Sequence, residues 1–152
     1  MSRPAENTRV GLERATCLIG NTFRYQPPGN KVAHFFSSRT KARKMGVEIA
    51  EDLGPLGTSD YCLARYAGEV EHLRRTLGEV KPAVIIALGR TPMWALTGQS
   101  GITALRGQEL PCRLFADAIV IPTFHPSYIL RGNRVEEPLF HADVKLAAER
   151  AG

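Results

Sequence analysis

The sequence is short of everything that would make it a disulfide-stapled, metal-clustered or membrane-spanning chain. Its 152 residues hold three cysteines, Cys17, Cys62 and Cys112. They are odd in number, widely spaced and never set as Cys-x-x-Cys, so neither a disulfide framework nor a zinc motif is written here. Reduced thiols and no bound metal are the expectation. No apolar run approaches the roughly 20 residues that a spanning helix needs, and the opening MSRPAENTRVG lacks the apolar core of a secretion signal. A soluble, cytoplasmic chain with no membrane partner is therefore expected. Internal repeats and low-complexity tracts are absent too. With 43% hydrophobic residues the chain reads as one domain over 1–152, long enough to bury roughly two-thirds of its unfolded surface.

What is present in surplus is positive charge. Lys and Arg number 20 against 15 Asp and Glu, a net charge of +5, which favours an acidic partner such as nucleic acid. Apolar residues come in short runs. Cys17 to Ile19 reads as a buried strand closed by QPPGN, where Pro27 and Pro28 forbid helix and ladder alike. Ala83 to Gly89 (AVIIALG) and Ala118 to Phe124 (AIVIPTF) are continuous and β-branched, as in a sheet covered on both faces. Between them the period turns helical: Leu63, Tyr66, Val70, Leu73, Leu77 and Val80 step by three and four, with Glu69, Glu71, Arg74 and Arg75 off the stripe. In RTPMWALTG, Thr91 is expected as N-cap, Pro92 at the first helical position and Gly98 past the end. A last helix, about Val135 to Arg150, carries Leu139, Ala142, Leu146 and Ala147 on one side. Strand and helix alternate, which predicts an α/β fold with a mainly parallel sheet.

Two regions fit this alternation less well. Residues 31–60 hold the basic run RTKARK, an expected short helix through VEIAEDL and a Gly/Pro-rich link, and read as an inserted basic arm. Around RGQELPCRLFADA an extra strand or a hairpin is expected, with Asp117 near its turn.

In open α/β sheets, ligands gather where strands end. The first strand leaves through Gly20, Asn21 and Thr22, the second through Gly89, Arg90 and Thr91, the third through Phe124, His125, Pro126 and Ser127. Asn21 presents a carboxamide that either satisfies a local turn or reads a planar partner. Gly89 and Thr91 make either an ordinary strand-to-helix junction or an anion site. His125, stiffened by Pro126, is either a structural histidine or a functional one. The basic run is either a solvated face or a phosphate-tracking arm through Arg39, Lys41, Arg43 and Lys44.

Taken together and in order, GNTFRYQPPGN, KPAVIIALGRTPMWALTG, ITALRGQ, VIPTFHPSYILRG and Asp143 in FHADVKLAAE resemble the uracil-DNA glycosylase superfamily, specifically its iron-sulfur, thermophile-type branch. The likeness runs from about Val10 to Arg150. It implies a three-layer αβα sandwich on a mainly parallel central sheet, and a protein that binds DNA, flips out uracil or a modified pyrimidine and hydrolyses the N-glycosidic bond in base excision repair. By this resemblance Asn21 reads the base edge and His125 stabilises charge on uracil O2. Ser127 and Arg131 meet phosphates, and the Tyr128, Ile129, Leu130 triplet supplies a wedge, Leu130 or Ile129 foremost. Action on DNA would place the chain at the nucleoid.

The chain also departs from that pattern. It begins about where the family's second strand begins, so the first strand, with its water-positioning residue, is expected to be missing. Two cluster-ligand positions fall at Tyr25 and near Val70, so no iron-sulfur cluster and no other cofactor is expected. A homo-oligomer or a partner chain supplying the missing motif, a silent DNA-binding module and one half of a split glycosylase are the alternatives. A further one is a covalent trap through His34, although KVAHFFSSRTK does not reproduce the loop of the branch that works this way.

Overall fold

The computed structural model describes residues 21–24 and 26–152, so the strand expected at Cys17 to Ile19, and Tyr25, lie outside the described residues. In chain order the strands are β1 (Phe36–Ser37), β2 (Pro55–Leu56), β3 (Asp60–Cys62), β4 (Val84–Leu88), β5 (Leu110–Pro111) and β6 (Ile119–Thr123). The α-helices are α1 (Arg39–Met45), α2 (Ala67–Val80), α3 (Arg90–Thr97), α4 (Ile102–Leu105), α5 (Pro126–Leu130) and α6 (Glu137–Ala151). The fold is mixed α/β.

The two β-branched runs become parallel neighbours, Val84 opposite Ile119 through Leu88 opposite Thr123. β5 adds antiparallel to the other edge of β6, Leu110 opposite Val120, which is the hairpin expected around Asp117. Pro122 is tolerated in this middle strand because β5 ends before reaching it, leaving that edge without a ladder bond to lose. The expectation of two strands covered on both faces holds for β6, where Val120 to Thr123 are buried. It fails for β4, whose Val84, Ile85 and Ile86 are half-buried and whose Leu88 is exposed. α3 and α6 both pack on β4 and β6.

Local chemistry explains the helix ends, with corrections to what the sequence suggested. α3 is entered from Gly89 at φ 94°, not capped by Thr91. The turn needs a backbone conformation that a side chain would strain, so Thr91 and Pro92 fall inside the first turn. Gly98, at φ 76°, ends it as expected. α2 keeps Val70 and Leu77 buried but leaves Val80 exposed and buries Glu69, which the apolar period had placed elsewhere. α6 buries Asp143, Val144 and Ala147, whereas Ala142 and Leu139 face solvent.

Residues 31–60 contribute Phe35, Phe36 and Leu56 to the core. β1, β3 and β2 form a small antiparallel sheet in that order. The helix of this region is the basic run itself, since Ser38 Oγ accepts from the Lys41 N–H at 3.2 Å and Gly46 closes α1 at φ 70°. VEIAEDL gives only a single 3-10 turn, Glu51–Leu53. Phe35, Phe36, Leu56 and Cys62 share one apolar cluster with Val70, Ala87, Met93, Trp94 and Val120. Trp94, wholly buried, donates its indole N–H to the Gly54 carbonyl at 3.1 Å. Arg113 donates to the carbonyls of Leu53, Ala95 and Trp94 at 2.7, 3.1 and 3.0 Å, placing a cation at the C-terminal end of α3, where the helix dipole favours it.

Candidate active site

The parallel pair delivers two of the three strand exits to one place. The Gly89 N–H donates to the Thr123 carbonyl at 2.9 Å, and an added Cβ on Gly89 would stand 3.3 Å from the Cβ of His125. Glycine at the end of β4 is thus what leaves room for His125 at the end of β6. Proline then sets the chain for a helix, and His125 becomes the N-cap of α5: its Nδ1 accepts from the Ser127 N–H at 3.1 Å. A backbone N–H can only donate, so Nδ1 carries a lone pair. In the neutral ring the proton therefore sits on Nε2, a donor left for something outside the protein. The Ser127 hydroxyl is 2.8 Å from the same Nδ1. Donating there, it has only lone pairs to offer elsewhere, and a phosphate contact requires it to rotate away.

The apolar triplet after this motif is divided by the fold. Tyr128 stacks on Phe124, ring centroids 5.2 Å apart and planes 14° from parallel. Ile129 is buried, whereas Leu130 is 64% exposed. Arg131 is exposed and makes no ion pair among the described residues.

Behind the β6 exit lies a buried network that the sequence signalled only through ITALRGQ and Asp143. Asp143, 1% exposed, accepts from the hydroxyl of Thr123 at 2.6 Å and from Arg106 Nε at 2.9 Å, and its second oxygen meets Arg106 Nη2. Gly107, at φ 75°, admits the carboxylate, for a Cβ there would be 2.6 Å from Oδ1. The paired carboxylate holds the Arg106 guanidinium above its ordinary pKa. One acid thereby ties the loop after α4 to the residue two before His125.

Asn21 is held differently. Asn21 is exposed and its carboxamide has no hydrogen-bond partner among the described residues, so it does not satisfy a local turn through its side chain. Its loop is fixed from three residues on. Arg24 donates its backbone N–H and Nε to Glu69 Oε1 at 3.0 and 2.9 Å, and Nη2 to Oε2 at 3.0 Å. These bonds hold the Glu69 carboxyl below the usual carboxylate range against the opposing effect of burial. Phe23 stacks on Phe35 at 4.2 Å and meets Phe36 edge-on at 5.8 Å. Asn21 and His125 make no hydrogen bond to one another. They are joined through the core that runs from Phe23 by Phe36 to Trp94 and α3.

Of the basic run, Arg39 is engaged: its Nε lies 2.8 Å from Glu51 and its guanidinium 4.9 Å from the Tyr61 ring centre. Lys41, Arg43 and Lys44 are exposed on α1 and make no ion pair among the described residues. His34 is exposed, its Nε2 3.0 Å from the Tyr66 hydroxyl. Of the two positions that the iron-sulfur resemblance points to, only Val70 is described, an apolar side chain 1% exposed within the core. Cys62 and Cys112 are buried free thiols, and burial pushes the Cys62 thiol up to about 12. Arg24 and Glu69 are the residues that sequence reasoning missed as parts of the site, while Arg106 and Gly107 stood in ITALRGQ without a role. Arg24 meets Glu69 across 45 residues and Arg106 meets Asp143 across 37, so no local spacing announces these pairs.

Residues 5–145 match the uracil DNA glycosylase superfamily. That match covers most of the 152 residues, and the chain belongs to this superfamily. No curated protein matches it. The family acts on DNA, and no helix among the described residues is long and apolar enough to cross a membrane.

Proposed function

We propose that this member of the uracil-DNA glycosylase superfamily binds DNA, accommodates a flipped uracil or modified pyrimidine, and hydrolyses its N-glycosidic bond to leave an abasic site for base excision repair. The observation that carries the reading is the capped state of His125, whose Nδ1 accepts the Ser127 N–H. The Nε2–H is then a fixed donor for the negative charge that grows on uracil O2 as the bond breaks. Asn21, whose carboxamide has no partner among the described residues, accepts from uracil N3–H and donates to O4. Cytosine offers the reverse pattern and leaves these groups unpaired. Leu130 takes the space of the extruded base, Arg131, Lys41, Arg43 and Lys44 meet phosphates, and Ser127 joins them when its hydroxyl turns from His125. In this reading the chain is an iron-sulfur-branch relative with the family's three-layer αβα sandwich that works without the cluster, Val70 packing where a ligand would stand.

One observation favours a second reading, a DNA-binding module without the chemistry. The two buried carboxylates among the described residues, Glu69 and Asp143, are committed to arginines, and neither is free to activate water. Loss of a general base costs about 10²- to 10⁴-fold, so a slow enzyme and a silent module differ only in whether turnover is measurable. Incubation with a uracil-containing single-stranded oligonucleotide followed by alkali separates them. Scission that His125→Ala abolishes establishes the glycosylase; binding without scission at stoichiometric protein establishes the module.

A further inference from the structure

The end of β6 is held by different means on its different sides. Toward β4 the ladder runs to the last residue, Leu88 opposite Thr123, and is continued by the Gly89 N–H donating to the Thr123 carbonyl at 2.9 Å. Toward β5 the ladder stops at Val120, opposite Leu110. Past that point the loop after α4 takes over the edge, the Gly107 N–H donating to the Pro122 carbonyl at 2.9 Å. The strand's last side chain is held from α6, where Asp143 accepts the Thr123 hydroxyl at 2.6 Å and is itself held by Arg106. Only Phe124 separates Thr123 from His125, and Gly89, whose added Cβ would stand 3.3 Å from the His125 Cβ, leaves the ring little room to shift.

A buried ion pair bonded to a hydroxyl is a poor device for stability alone. Thr123 is fully buried and Asp143 is 1% exposed. Desolvation of such groups offsets much of what their bonds gain, and well-packed apolar side chains of similar volume often stabilise a fold as well or better. What the bonds add is direction, since each is made in one geometry only. Arg106 fixes the carboxylate through Nε and Nη2, and the carboxylate fixes the hydroxyl. We infer that Thr123, Asp143 and Arg106 are positioning residues for the reaction: they set where the end of β6 stands, and with it the place of His125 against the base. The Ser127 cap then sets the tautomer of a ring whose position is already fixed. That role rests on the glycosylase reading of His125 and extends it to residues that act through the strand.

Thr123→Val keeps the branching of the side chain and leaves Asp143 paired with Arg106, so it removes only the bond to the strand. On a uracil-containing single strand it should lower kcat about tenfold or more while changing KM less than about twofold, as for a displaced reacting group. Thr123→Ser, which keeps the hydroxyl, should stay within about threefold of wild type. The His125 ring supplies a second readout that needs no turnover. In nitrogen-15 spectra of the free protein, wild type and Thr123→Ser should give a single set of ring signals, and Thr123→Val a broadened or doubled set. Unchanged kcat in Thr123→Val, an equal fall in Thr123→Ser, or an undisturbed His125 ring in Thr123→Val overturns the inference. If wild-type protein excises nothing, the glycosylase reading fails, and the ring spectra alone decide whether the network positions His125. Should Thr123→Val not fold, Arg106→Lys, which keeps the charge and loses the two-donor fork, is read in the same way. Lower kcat with a disturbed His125 ring supports positioning, and wild-type behaviour of both overturns it.

Discussion

His125, at the end of β6, and Asn21 are positioned by opposite means. His125 is set by its own neighbours, through Pro126, the Ser127 N–H and the helix that follows. Asn21 owes its position to Glu69, 45 residues from Arg24, and to an aromatic stack on Phe35. The first is a local structure that the chain writes in three residues, whereas the second exists only once the core has assembled. A group that must present one ring nitrogen is well served by a local cap. A group that must read a base edge can sit on a surface loop, provided the loop is pinned from behind.

Breaking the long-range supports should cost most. Asp143→Ala removes the acid that joins Thr123 to Arg106 and leaves a mostly buried guanidinium unpaired, so stability should fall by about 3–5 kcal/mol, read by urea denaturation. A loss under about 1 kcal/mol would mean that the β6 exit stands without it.

Glu69→Gln strikes the Asn21 loop. Arg24 is half exposed, so water recovers part of its loss and the cost should be about 1 kcal/mol. Because the folded-state pKa of Glu69 is depressed, its contribution is present above the unfolded value of about 4.3 and is lost as pH falls through the lower folded value. The acid limb of the wild-type stability curve should therefore flatten in Glu69→Gln. Discrimination between uracil- and cytosine-containing strands should weaken in the same variant while His125 is undisturbed.

Gly89→Ala tests the space between the exits. It demands an unfavourable φ and crowds His125 at 3.3 Å, so stability should drop by about 1 kcal/mol. Excision should drop further, about tenfold, as the imidazole is displaced. The smallest effect belongs to Ser127→Ala, which keeps the backbone N–H that fixes the tautomer. Excision should change less than about threefold, and a larger loss would shift the weight from the backbone cap to the hydroxyl.

The same division explains what could be read in advance. β4 and β6 were legible as continuous β-branched runs, and α2 as a three-four apolar period. His125 stood out because its determinants are adjacent to it. The segment 31–60 was not legible, because strands of two or three residues carry no period and its attachment through Trp94, Gly54 and Arg113 is long-range. Thr91 was misread as a cap because the sequence does not show that Gly89 turns the chain first. Ala142 was placed inside and Asp143 left off the buried face of α6 because a buried acid is unreadable without its arginine, here 37 residues earlier.

The central claim is that His125 donates from Nε2 to a leaving uracil. Alkali-revealed scission of a uracil-containing single strand by wild-type protein and by His125→Ala tests it most directly. The account predicts scission by the wild type and a loss of about 10²-fold or more in the variant. Equal scission by both proteins would contradict it.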